Sequence, residues 1–166
     1  MFKTPPATLF MLCGKVASGK STLADRLAST HNTVLLREDF WLSSLYGEEL
    51  KTLRDYVKFS ARLKQAMASY IVALLKSGTS VVLDFPANTK DDRLWMQELI
   101  DRAECLHQLH YLDVPDEICL SRLGQRNASG EHEFSVTEDQ FERIAEHFQP
   151  PSEDERFNIM VHRVSV

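Results

Sequence analysis

Apolar residues along this chain alternate between two arrangements. In short runs they are nearly unbroken: Leu9 to Cys13, Thr33 to Arg37, Val81 to Asp84, Leu106 to Asp113 and Phe157 to Val164. Runs of that length predict buried strands. Between the runs, apolar residues recur three and four positions apart, the period of a helix packed on one face. The spacing predicts a helix from Lys20 to about Thr30. A helical region carrying Leu50, Leu53 and Val57 follows the turn at Tyr46-Gly47. The longest stripe, from Phe59 through Leu63, Met67 and Ile71 to Leu75, predicts an amphipathic helix that stops at Gly78. Trp95, Met96, Leu99, Ile100 and Ala103 mark another, after the turn Pro86-Ala87-Asn88. Pro115 suits the first turn of a further helix, with Asp116 and Glu117 at its positive end and Ser129-Gly130 as its breaker. Thr137 to Gln140 reads as a capping box, with Val136 and Phe141 as a hydrophobic staple. The helix it opens shows Phe141, Ile144, Ala145 and Phe148, and Pro150-Pro151 ends it.

Strands alternating with helices predict an α/β fold with a mostly parallel sheet and helices on both faces. Ligands of such sheets sit beyond the carboxyl ends of the strands. The loops after Cys13, Arg37, Asp84 and Asp113 therefore hold the candidate chemistry. The length, 166 residues, suits one domain over 1–166. No apolar run approaches a membrane span, and the short apolar start is no signal peptide. Cys13, Cys105 and Cys119 are scattered on apolar segments and read as buried free thiols of a cytoplasmic protein. With 19 Lys and Arg against 24 Asp and Glu, the net charge of −5 lacks the footprint of a general nucleic-acid binder and favours a small acceptor.

The first of those loops carries the clearest chemistry. Gly14-Lys15-Val16-Ala17-Ser18-Gly19-Lys20-Ser21, followed by Thr22, fits the phosphate-binding pattern G-x-x-x-x-G-K-[ST] between a strand and a helix. Two glycines let the backbone N–H groups turn inward, and the helix adds its positive end. Lys20 is then placed for the β- and γ-phosphates and Ser21 for Mg²⁺. A nucleoside triphosphate is the expected ligand, ATP with GTP not excluded.

Other groups converge on the same edge. Asp39 follows the second strand, either as a proton acceptor or water-mediated Mg²⁺ ligand or as an N-cap. Asp84 ends the third run in the manner of a Walker B carboxylate and is a candidate Mg²⁺ ligand, with a solvated strand end as the alternative. Arg122 and Arg126 share one helix face with no carboxylate three or four positions away on that helix, so an anion between them is expected. The segment around 122–136 is then a lid, with Glu131 and His132 in a solvated loop. His107 and His110 lie inside a strand and read as structural. Arg93 reads equally as a phosphate or acceptor contact and as a surface charge. Phe40, Trp41 and Tyr46 are candidates for an acceptor wall or for core.

With Glu38-Asp39-Phe40-Trp41-Leu42, Val82 to Thr89, Arg122 to Asn127 and Phe148 to Ser152, the chain resembles the small P-loop kinases. These include zeta toxins, chloramphenicol phosphotransferase and polynucleotide kinase domains. More closely, it is similar to a bacterial group labelled AAA-family ATPases. The resemblance implies a three-layer kinase-type P-loop core with strand order 2-3-1-4-5. It also implies Asp39 as acceptor base and Arg122 and Arg126 as lid arginines. The Asp-x-x-Arg sequence of several hydroxyl kinases is not reproduced, since Leu42 stands three past Asp39. Ring-forming AAA machines are longer and use sensor segments not found here. The expected activity is an ATP- and Mg²⁺-dependent kinase acting on a small-molecule hydroxyl. A nucleic-acid end kinase, or a nucleotide-dependent switch acting through a partner protein, is the alternative.

Overall fold

Side-chain alternation along the first strand decides the layering. In the computed structural model, which describes residues 6–130 and 135–164, β1 (Thr8–Cys13) sends Leu9, Met11 and Cys13 to one face and Leu12 to the other. The first face is covered by α3 (Leu53–Lys76), through Phe59, Leu63, Ile71 and Leu75, and by α4 (Lys90–Ala103), through Met96 and Leu99. On the opposite face, α1 (Lys20–Ala28) adds Leu23 and Ala24. There too α5 (Asp116–Ser129) adds Leu123 and α6 (Glu138–Glu146) adds Phe141. The remaining strands are β2 (Thr33–Arg37), β3 (Ser80–Pro86), β4 (Leu106–Asp113) and β5 (Ile159–Arg163). All pairings are parallel, in the order β2-β3-β1-β4-β5. The expected three-layer α/β architecture and strand order are therefore observed. Among the described residues, no helix is long and apolar enough to cross a membrane.

Helix ends fall into two groups. Thr52, Thr89 and Thr137 each accept the N3 backbone N–H in a capping box, so α3, α4 and α6 begin with their first N–H groups satisfied. The box at Thr137 is the one expected from the sequence. By contrast, α1 starts at Gly19 (φ 103°) with no side-chain cap and no acidic residue in its first turn. Its N–H groups and positive end are left for a ligand.

Three expectations need correction. The helical region carrying Leu50, Leu53 and Val57 is not separate from the stripe that follows it: one helix, α3, begins at Leu53 and leaves Leu50 ahead of it. The stretch after the second strand, to which no element was given, forms α2 (Glu38–Tyr46), whose Glu38 turns inward onto α3. The last strand begins at Ile159 rather than Phe157, whose ring instead packs edge-on against His107 with centroids 5.8 Å apart. Cys13 and Cys119 are buried free thiols, but Cys105, at the turn into β4, is half-buried.

Candidate active site

The phosphate loop is wound by its own backbone. Ser18 N–H donates to the Lys15 carbonyl at 3.1 Å, and Ala17 and Gly19 take left-handed φ values of 61° and 103°. A Cβ on Gly14 would lie 2.6 Å from Ser18 Oγ and 3.2 Å from the Leu112 carbonyl, so only glycine fits there. Lys20 Nζ donates to the carbonyls of Gly14 (2.5 Å) and Lys15 (2.9 Å). Burial lowers the Lys20 pKa, opposed most strongly by the Asp84 carboxylate. Lys15 directs its own ammonium elsewhere, to Asp116 and over the Phe148 ring at 5.6 Å, so its part in the loop is played by its backbone.

A cleft of about 1980 Å³ runs along the carboxyl edge of the sheet. One wall is the phosphate loop, from Val16 through Ser21 and Thr22, with Arg122 and Arg126 of α5 and residues of α6. The other wall is Asp39, the first turns of α3 and the start of α4, and Asp84 lies between the two. The fold thus brings Lys20, Ser21, Asp39, Asp84, Arg122 and Arg126 to one cavity. Arg122 Nη1 donates to the Ser18 carbonyl at 3.2 Å and so already touches the phosphate loop. Arg126 Nε is buried and has no hydrogen-bond partner among the described residues. Burial lowers the Arg126 pKa, and Asp39 across the cleft opposes that shift. A guanidinium donor left unfilled in a charged cleft fits an anion such as phosphate.

Asp39 is exposed in the first turn of α2, one residue inside a helix whose N-cap is Arg37, so it is not an N-cap. Asp84 is engaged rather than solvated. Its Oδ2 accepts from Arg37 Nε at 3.0 Å, while Arg37 Nη2 reaches Asp25 at 2.8 Å. The two residues are register partners at the ends of β2 and β3. Two strands ending in opposite charges at one edge was the signal for this pair, and sequence reading missed it.

A polar cluster on the α2–α3 side of the cleft was also missed. Glu38 is 1% exposed and accepts from Tyr56 Oη at 2.5 Å and from Ser60 Oγ. Burial raises the Glu38 pKa, and the two hydroxyls partly restrain it. Burial, with Glu38 next, pushes Tyr56 well up. Lys64 Nζ pairs with Asp92 at 2.6 Å. These residues line the cleft, whereas Phe40, Trp41 and Tyr46 do not. Trp41 and Tyr46 pack against the core, Tyr46 stacking on Phe59 with centroids 4.3 Å apart, and Phe40 is exposed. The helical face Thr52, Tyr56, Ser60 was the available clue, hidden by its mixture of polar and aromatic residues.

Arg93 does not reach the cleft. It is 1% exposed and binds both oxygens of Glu155 and the carbonyls of Ala87 and Gln149. His107 and His110 are structural, as expected: His107 Nε2 accepts the Asn158 N–H, and His110 Nδ1 lies 2.9 Å from His162 Nε2. Glu131, His132 and the loop they were read into lie outside the described residues.

A family model described as an AAA domain, AAA_33, matches residues 9–151. No curated protein matches the chain. Solved structures do. A kinase candidate from Chloroflexus aurantiacus j-10-fl superposes with a TM-score of 0.74 at 19% identity, covering 98% of this chain and 87% of that one. The Mycobacterium tuberculosis APS kinase CysC, in complex with AMPPNP and APS, gives 0.62 at 17%, covering 96% and 89%. A Sinorhizobium meliloti 1021 gluconokinase gives 0.59 at 14%, covering 99% and 85%. These likenesses establish the P-loop kinase-like fold.

Proposed function

The chain belongs to the AAA_33 family of AAA domains, and from that premise we propose that it is an ATP-dependent phosphotransferase acting on a hydroxyl of a small molecule. The observation that carries this reading is the opposition of Asp39 and Arg126 across one cleft floored by the phosphate loop. A pure nucleotide switch has no need of a carboxylate in the cleft that holds the phosphate loop.

In this reading the loop from Gly14 to Thr22 holds the phosphates through the backbone N–H groups after Gly14, whose own N–H is taken by Asn88, and Lys20 leaves the Gly14 and Lys15 carbonyls for the β- and γ-oxygens. The acceptor hydroxyl lies against Asp39. Its oxygen bonds to the γ-phosphorus as the bond to the β–γ bridging oxygen breaks, ADP departs, and the hydroxyl proton passes to the Asp39 carboxylate. Arg122 and Arg126 offset the charge that develops during transfer. The Ser21 hydroxyl and the Asp84 carboxylate are hard oxygen donors and suit Mg²⁺, with nucleotide oxygens and water completing the shell. When bound, that ion neutralises charge on the β- and γ-phosphates. Arg37, paired with Asp84, fixes the direction in which the carboxylate points. The segment around 122–136 serves as the lid of a single 1–166 kinase domain, working in the reducing cytosol that its free thiols suit.

The kinases among the structural neighbours support this reading. The test is transfer of labelled γ-phosphate from ATP, with Mg²⁺, to metabolite, antibiotic and oligonucleotide panels. Wild type is run beside Lys20→Ala and Asp39→Asn. A labelled small molecule that disappears in both variants is the expected result, and competition by GTP reads donor preference. Label entering only oligonucleotides would reassign the acceptor to nucleic-acid ends. Slow phosphate release that Asp39→Asn leaves unchanged would replace the kinase by a switch.

A further inference from the structure

The turn after β3 makes a contact that the phosphate-loop pattern does not explain. The Asn88 side chain closes on both backbone groups of one residue, Gly14. Its Oδ1 accepts the Gly14 N–H at 2.9 Å, and its Nδ2 donates to the Gly14 carbonyl at 2.9 Å. That carbonyl is also one of the two that Lys20 Nζ uses. A carboxamide is the one short side chain that supplies an acceptor and a donor side by side.

Asn88 is itself held from behind. Its carbonyl accepts the Gln149 N–H at 2.8 Å, and Gln149 Oε1 accepts the Lys90 N–H at 2.8 Å. Arg93 ties the carbonyls of Ala87 and Gln149 together with one Nη1, and Glu155 fixes Arg93 through both carboxylate oxygens. The Ala87 N–H donates to the Leu12 carbonyl at 3.0 Å, two residues before Gly14. The Gly14 peptide therefore sits in a clasp anchored to buried charge, remote in sequence from the loop it orients.

We propose that Asn88 is a positioning residue of the phosphate loop: its bidentate clasp fixes the two peptide planes that meet at Gly14, and through the Gly14 carbonyl the resting place of Lys20. This rests on the loop's being the nucleotide site. The clasp acts through the carbonyl that holds Lys20, the residue this reading assigns to the β- and γ-phosphates, so its loss falls on nucleotides that carry a β-phosphate. Asn88→Ala removes both bonds. Asn88→Asp keeps the acceptor for the Gly14 N–H but sets a second oxygen against the Gly14 carbonyl, at nearly unchanged volume.

The experiment measures affinities for ADP and AMP by competition with a fluorescent ATP analogue, in wild type, Asn88→Ala and Asn88→Asp. Wild type prefers ADP, and both variants reduce the ADP-to-AMP affinity ratio about tenfold, the scale of one or two lost hydrogen bonds. A ratio that stays at the wild-type value overturns the proposal, whether both affinities hold or both fall together through general damage. Should Asn88→Ala fail to fold, Asn88→Asp alone decides. A wild-type protein that does not bind the analogue overturns the nucleotide site first and the positioning role with it.

Discussion

A guanidinium nitrogen buried without a partner is costly unless something else supplies the partner. Among the described residues Arg126 Nε has no such partner, and Asp39 is the charge that favours its ionised form. Asp39 and Arg126 line one cleft, near enough for the charge of the first to bear on the second. Arg126→Ala is expected to lower turnover on the order of a hundredfold to a thousandfold, the usual loss for one donor aimed at transition-state charge. ATP binding should survive, because Lys20 and the loop amides remain. Arg126→Lys should not restore the rate, since an ammonium lacks the planar fork. Initial rates and analogue binding check this together, and near-normal turnover in Arg126→Ala would remove its role. The pair Arg122 and Arg126 was legible because no carboxylate on their own helix faces them. Arg93 was not legible: its partners lie on the turn before α4, on a later loop and on the 3-10 turn Glu153–Glu155, and no spacing within α4 reveals them.

At the scale of elements, strands and helices were read well where one face is wholly apolar. Each predicted strand forms, and Leu106 to Asp113 matches β4 at both ends. Reading failed where a polar group decides the local structure, as at α2, whose first turn is fixed by Glu38 reaching residues 18 and 22 positions away. The edge strand β5 shows a related effect with a pH signature. It is joined to β4 by the stacked imidazoles of His110 and His162, and His110 is buried. Burial first, and the neighbouring His162 second, push the His110 pKa down from 6.5 to about 4. Between those values the unfolded chain takes up a proton that the folded chain refuses. This contribution to stability is therefore complete above pH 6.5 and is lost as pH falls toward 4. Thermal melts from pH 7 to pH 4 should fall less steeply for His110→Phe, which keeps a ring in the site. Equal slopes for the two proteins would show that His110 titrates normally.

Over the whole molecule, the sheet order follows from alternation and handed crossovers, but the closure of the chain onto its own site draws on one buried ion pair beside the Gln149 bonds to Asn88 and Lys90. Arg93 on α4 and Glu155 in the 3-10 turn join the segment after α6 to the turn that carries Asn88. Arg93 is 1% exposed and the Glu155 side chain 15%, so water reaches this pair poorly. Removing one partner leaves a charge stranded in the interior, at a cost of about 3–5 kcal/mol. In a domain of this size each kcal/mol lowers the melting temperature by roughly 2–4 °C, so Glu155→Ala should melt about 6–20 °C below wild type. Glu155→Gln, which keeps an acceptor for the guanidinium but not the charge, should fall between the two. Replacing both partners, as Arg93→Met with Glu155→Leu, removes the stranded charge and should recover part of the loss. That recovery stays incomplete, because the Ala87 and Gln149 carbonyls no longer have the Arg93 donor. Melting of the four proteins decides the matter: a Glu155→Ala chain within about 2 °C of wild type would mean that Arg93 stays solvated without its partner, and that the segment after α6 is held by its apolar contacts and the Gln149 bonds without the ion pair.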